Sequence, residues 1–429
     1  MFMLNNFFKT SSSFYLLLVG LFPLGLIIGT LIPEILILII IFGFFYEMLV
    51  NKDFTPLKSK IFIFLCIVWI YLIFNYFTIS VDKELSSSRS FFFIRFPLLM
   101  ISINYFINKS DYKLDLIFKL WAITLVVTIF DLFFQYFFGF NTLGFDITWA
   151  HGKLSGFMGH ELKMAHLLIG FVMPTLSYYF MKNKNLLIMF IFLLIFFVIL
   201  FLINERSNAI KGTFIIFFIL FFYNELNIKK KLLSFFIFIS IIISIISFNH
   251  EVNQRFYNEL KSMSKNLKSE LTFHGRVKES ITDASLMDHI KYSNYGPHYY
   301  AAYDIFKNNK FFGIGLKTFR TQCEYAKVPE DISSRKCAIH PHQIYLEMLA
   351  EIGLFGFILF FIFFTVIILK SLKTYFKEND LILLSLCAFI CSQILPVLPS
   401  GSFFTSFSAI IFWTNISLIY SLLIKYKKI

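Results

Sequence analysis

The segment HPHQIYLEMLAEIGLFG, residues 340–356, sets two histidines, a glutamine and two glutamates at the threshold of an apolar run. A neutral imidazole can take a proton near physiological pH, so a histidine beside an anion-binding element has the chemistry of a general base. Pro341 suits a first helical turn, and Gln343, Glu347 and Glu351 then fall at i, i+4 and i+8 along one face. Ile344, Met348, Ile352 and Phe355 face the other way. Free amides at such a helix start attract phosphate oxygens, and the same field keeps His342 neutral. His340, ahead of the proline, reads as extended and orients the loop. Three other readings stand: His-x-His is also half of a metal site, although no further ligand lies at close spacing, lone histidines commonly bond backbone at interfaces, and the carboxylates could form a calcium-type cage.

Arginine supplies the complementary chemistry, because its planar fork grips phosphate oxygens in pairs. LINERSNAIKG places Arg206 between two apolar runs, LTFHGRVKES places Arg276 in a long polar stretch, and SFFFIRFPLL places Arg95 inside an apolar run. Asp131 and Gln135, one turn apart in TIFDLFFQYFFG, are polar residues at membrane depth, where such groups are costly and usually functional. Each also has a structural reading: Arg206 snorkelling, Arg276 solvated, Asp131 paired with Arg95.

These residues must be positioned by an unusual chain. Of its 429 residues 58% are hydrophobic, 20% aromatic and only 15% charged, a balance foreign to soluble domains. About twelve apolar runs are long enough to cross a hydrocarbon core, and spans in lipid must be helices to pair their backbone. The expected fold is an all-α integral membrane protein of about twelve spans. Lys9, Lys52, Lys58, Lys60, Lys109, Lys113, Lys182, Lys184, Lys229, Lys230, Lys231, Lys370, Lys373, Lys377, Lys425, Lys427 and Lys428 fall in every second connection. The positive-inside rule puts those connections and both termini in the cytoplasm, and all nine histidines on or near the outer face. Much of the net charge of +13 is thus topological, and no nucleic-acid partner is implied. The chain divides into residues 1–248 with nine spans, a large outer loop over 249–341, and residues 342–429 with the motif helix and three spans.

Within the loop, GPHYYAAYDIFKNNKFFGIG reads as a helix opened by Pro297, with Tyr299, Tyr303 and Phe306 on one face, ended at Asn308-Asn309 and followed by a tight turn at Gly313 and Gly315. Cys323 and Cys337 share the loop, while Cys66, Cys387 and Cys391 lie in apolar runs. Outside the cytoplasm a nearby pair tends to oxidise, which would tether Arg320 near His340; two unrelated thiols is the other reading.

HPHQIYLEMLAEIGLFG, the preceding FGIGLKTFR with its two cysteines, NERSNA, HGR, FDLFFQYFFGFNTLGFD and LSGFMGHELKMAHLL together resemble the O-antigen ligase/polymerase superfamily over essentially the whole chain. Gln343 stands where the family commonly has asparagine, and no tryptophan follows the Gly-Arg pair. The resemblance implies a GT-C-like, metal-independent inverting glycosyltransferase of the bacterial inner membrane, without cofactor, its site facing the periplasm. It implies His342 as the essential histidine and Arg206 and Arg276 as the diphosphate-contacting arginines. Arg95, Asp131, Gln135, Glu161, Arg320, His340, Gln343 and Glu347 are candidate supporting residues. The implied donor is an undecaprenyl-diphosphate-linked glycan. The acceptor is lipid A-core for a ligase, which one dominant loop favours, or a growing glycan for a polymerase. A lipid-linked glycan transporter would want a polar central path and internal repeats, and neither is seen.

Overall fold

A computed structural model describes residues 12–111, 113–147, 152–258, 290–396 and 398–426. Among these the chain is helical without a strand, and one isolated bridge joins Phe140 and Asp146. Eight helices are long and apolar enough to cross a membrane: Leu31–Asn51, Lys60–Thr78, Lys83–Lys109, Asp115–Phe138, Met164–Asn183, Ile228–Phe248, Ile344–Glu378 and Ser406–Lys425. Shorter apolar helical stretches over 12–28, Leu186–Leu202, Arg206–Phe222 and Leu381–Gln393 complete the set expected from the apolar runs. The chain is a multi-pass, all-α membrane protein.

Burial sorts these helices into centre and rim. Ser406–Lys425 is almost wholly buried, whereas Ile228–Phe248 buries only Phe238 and otherwise offers apolar side chains outward, as a lipid-facing helix can. Short connections are closed by side-chain caps: Asn185 accepts from the Ile188 amide (3.1 Å), Asn227 from Lys230 (2.9 Å) and Asp380 from Leu383 (3.1 Å).

The feature that builds the site end is a break in the long Ile344–Glu378 helix. Gly353 has φ +65° and ψ −173°, a backbone region that side chains essentially forbid. The Gly-rich stretch before the disulfide supplies the hydrogen bonds lost there. The Leu354 and Phe355 amides donate to Lys310 and Phe311 carbonyls (2.8 and 3.1 Å), while the Ile314 and Gly315 amides donate to Ala350 and Glu351 carbonyls (3.1 and 2.8 Å). Tyr71 Oη donates to the Ile352 carbonyl, and Asn75 Nδ2 to that of Phe312 (2.6 Å). Interrupted helices survive at membrane depth only when neighbours satisfy the backbone in this way.

The described part of the loop forms a small second core. Gly296–Asn308 buries Ala301, Ala302 and Ile305 against Ile314, Phe319, Cys323, Ala326 and Ala350, the last from the motif helix. The helix opened by Pro297 is present as expected; on its tyrosine face Tyr303 is 57% exposed, and the small residues face inward. Cys323 and Cys337 are bonded, their Cα atoms 5.2 Å apart. Lys336 Nζ reaches the Ala326 carbonyl (3.1 Å) across that hairpin, and Asp331 accepts from Lys291 (2.7 Å) and Tyr292 (2.6 Å), tying the segment before the loop helix to the disulfide hairpin.

Candidate active site

The motif helix starts later than its proline suggests. Its first residue is Ile344 and its N-cap is Gln343, whose Oε1 accepts from the Leu346 amide at 2.8 Å. His342 therefore lies outside the first turn, and one of the amides expected to meet phosphate is already capped. The reason is local: His342 takes a left-handed backbone, φ +59°, which a helical residue cannot have. A non-glycine residue held there costs about 1–3 kcal/mol, and such strain gathers at functional sites.

Two contacts hold this turn. The Ser400 amide donates to the His342 carbonyl at 2.8 Å, and His340 Nε2 lies 3.3 Å from the Ser400 carbonyl. A carbonyl only accepts, so His340 carries its proton on Nε2 and leaves Nδ1 as a bare, buried acceptor. The connection before Ser406 thus forms a strap over the motif. His342 packs among other rings at tilted angles, with centroids 4.1 Å from His340, 5.6 Å from His298 and 4.9 Å from Tyr295. Burial, then the neighbouring His340 and His298, push the His342 pKa down to about 3. Burial likewise lowers His340 and His298. Among the described residues nothing hydrogen-bonds the His342 ring, so a neutral imidazole stands with its nitrogen lone pair available.

The two buried glutamates of the motif act on backbone. Glu347 accepts from Ser402 Oγ and from the Phe403 amide (2.9 Å), fastening the strap. Glu351 accepts from the Lys317 amide (2.8 Å) and the Phe319 amide (3.4 Å), fastening the turn after Gly315. One helical face thereby holds both loops that frame the histidines. Beside His340 a small cavity is lined by Arg89, Lys317, Arg320, Ser402 and Thr405, with both glutamates in its wall.

Other candidates have separate work. Arg95 forms a paired contact with Glu34 (Nε–Oε2 and Nη2–Oε1 both 2.9 Å) and lies over the Phe96 ring, so it does not meet Asp131. Asp131 accepts from the Thr142 amide and hydroxyl (2.9 and 2.6 Å), and Gln135 Oε1 from the Ser155 and Gly156 amides (3.1 and 2.8 Å). Both shape the connection between their helix and the next. Glu161 pairs with Lys163 at 2.5 Å on the surface. Arg206 is the first residue of Arg206–Phe222, half-buried, and a later turn of that helix carries the buried Lys211, whose Nζ lies 3.5 Å from Gln393 Oε1. Arg276 lies outside the described residues. Among the described residues no three His, Cys, Asp or Glu side chains are grouped to hold a metal.

Arg89, Lys317, Lys211, His298 and the strap serines were not singled out from sequence. Arg89 and Lys211 carried a usable signal, since cations at the edge of or inside apolar runs are functional by default. The serines carried none, because short polar connections look alike. Residues 190–361 match the family model Wzy_C, described as O-antigen ligase. No curated protein matches the chain.

Proposed function

We propose, for a chain that belongs to the O-antigen ligase/polymerase superfamily of membrane glycosyltransferases, that it moves a glycan from undecaprenyl diphosphate to lipid A-core at the periplasmic face of the inner membrane. The lysine-rich connections support that orientation, since they alternate with the connections that carry the histidines.

In this reading His342 is the general base. An acceptor hydroxyl gives its proton to the free nitrogen of His342, and the oxygen attacks the anomeric carbon from the face opposite the diphosphate. The carbon–oxygen bond to the diphosphate breaks, and the leaving group takes the electron pair. Arg206 and Arg276 stabilise the charge it gains, an electrostatic contribution needing no redox or covalent intermediate. His298, His340 and Tyr295 exclude water around the imidazole, and Glu347 and Glu351 position the loops that carry this ring set. The observation that carries the reading is His342 itself: a half-buried imidazole with no ring hydrogen bond among the described residues, on a left-handed backbone turn held by the Ser400 amide, which donates to the His342 carbonyl.

The deciding experiment is the lipopolysaccharide profile of a deletion strain. A ligase leaves core without O-antigen while long lipid-linked polymer accumulates. A core carrying a single repeat unit identifies a polymerase instead.

A further inference from the structure

The cavity beside His340 is lined by three cations and two carboxylates. Arg89 comes from the helix Lys83–Phe92, Lys317 from the turn after Gly315, and Arg320 from the short helix Phe319–Gln322. Among the described residues none of the three lies in an ion pair, and the one side-chain bond of Arg89 is to the Ser406 hydroxyl at 3.3 Å. Glu347 and Glu351 share the wall, but their oxygens are taken by the strap and by the Lys317 and Phe319 amides. Three cations against two carboxylates leave the cavity net positive with neutral histidines.

Hydrogen-bonding capacity is also left over. Arg320 Nε, in the cavity wall, is a buried donor without a partner. A buried donor without an acceptor is destabilising, and fixed guanidinium donors are the usual complement of an oxyanion. Lys317 has its pKa lowered, first by desolvation and then by Arg89 and Arg320, so like charges crowd one another there.

The position of this cavity decides which substrate would fill it. In an inverting displacement the base stands on the side of the incoming hydroxyl and the leaving group departs on the other. His340 lines the cavity and its ring is in contact with that of His342, 4.1 Å between centroids. The cavity therefore lies next to the base, and we take it as the acceptor side of the displacement. We infer that Arg89, Lys317 and Arg320 form an oxyanion subsite for a phosphoryl or carboxylate group carried by the acceptor glycan, distinct from the site of the donor diphosphate. This assignment rests on the general-base reading of His342. Its consequence is selectivity for charged acceptors over neutral ones.

The test uses the full chain in lipid nanodiscs with a lipid-linked glycan donor. KM is measured for lipid A-core carrying its phosphates, for the same acceptor after chemical dephosphorylation, and for one with its carboxyl groups reduced. Wild-type protein should prefer the charged acceptor, and Arg320→Gln should cut that preference by about ten- to a hundredfold, the loss expected for a charge-assisted contact. Arg320→Lys should recover part of it, and Lys317→Gln should act in the same direction, which guards against a folding defect in one variant. Loss of preference on dephosphorylation alone identifies the phosphoryl group; loss on carboxyl reduction alone identifies the carboxylate. An unchanged preference in Arg320→Gln overturns the subsite. So does a tenfold or greater weakening of undecaprenyl diphosphate binding in that variant, which would give the cavity to the donor. If the wild type transfers to no acceptor, the glycosyl-transfer reading fails. The subsite is then judged by calorimetric titration with inorganic phosphate, which should bind the wild type and not Arg320→Gln; no binding to the wild type overturns it.

Discussion

Glu347 offers a test of how the site is held rather than of the chemistry itself. Its carboxylate receives Ser402 Oγ and the Phe403 amide, both buried, and these bonds fasten the strap whose Ser400 grips His342 and His340. Glu347→Ala leaves two buried donors unmet at about 1–3 kcal/mol each, so the closed strap loses about 2–6 kcal/mol. Each ~1.4 kcal/mol is tenfold in a population or rate, so transfer should fall at least tenfold at saturating substrate. Glu347→Gln should behave differently. Its carbonyl can accept from the Phe403 amide, and the Ser402 hydroxyl can rotate to accept from the new amide group. Most activity should therefore return. The assay is the initial rate of glycan transfer by purified protein, alongside thermal unfolding in the same detergent. If glutamine is as inactive as alanine while both variants remain folded, the carboxylate has a direct chemical role. If alanine matches the wild type, the strap does not position the histidines.

Gly353→Ala should lower the melting temperature markedly, because φ +65° with ψ −173° excludes a side chain and the new Cβ would lie 2.5 Å from the Gly313 amide; strain and overpacking together amount to about 2–6 kcal/mol, and an unchanged melting temperature would refute the kink. Replacing both Cys323 and Cys337 with serine should cost about 2–4 kcal/mol of loop stability, and mass spectrometry of non-reduced protein should find neither thiol alkylated; both free would remove the tether. The His342 pKa is lowered from an ordinary value near 6.5 to about 3, so its neutral form is favoured in the folded chain, and the stability this group contributes is present above about pH 6.5 and lost as pH falls towards 3. For the same reason kcat/KM should show no acid limb between about pH 5 and 8, and a limb centred near 6.5 would contradict the desolvation of the ring.

Much of this was legible in the chain before any coordinates. Apolar runs give the spans because lipid leaves the backbone only one pairing option, and Pro297 with Asn308-Asn309 bound the loop helix because their effects are local. HPHQIYLEMLAEIG was readable as a site because its polar residues have no place on an ordinary span. What escaped depends on partners far away in sequence. Gly353 reads as an ordinary small residue until Lys310–Gly315 is laid against it, and the start of the motif helix was misread because Pro341 is followed by a left-handed residue. Gln343, Glu347 and Glu351 were legible as one polar face, but what that face binds was not: the glutamate oxygens meet main-chain amides at positions 403, 317 and 319. Asp131 and Gln135 were singled out as polar residues at depth; their partners in the following connection have no periodicity to betray them.

The central claim is that His342 takes the acceptor proton, and the most direct measurement is the initial rate of transfer by purified His342→Asn in lipid nanodiscs. Asparagine tolerates the left-handed backbone that histidine occupies here, so the fold and the strap should survive while the base is removed. A positioned base contributes about 10²–10⁴-fold, and the account predicts a loss in that range with donor binding retained. Near-wild-type transfer by this variant would contradict it and leave His342 a structural residue of the turn.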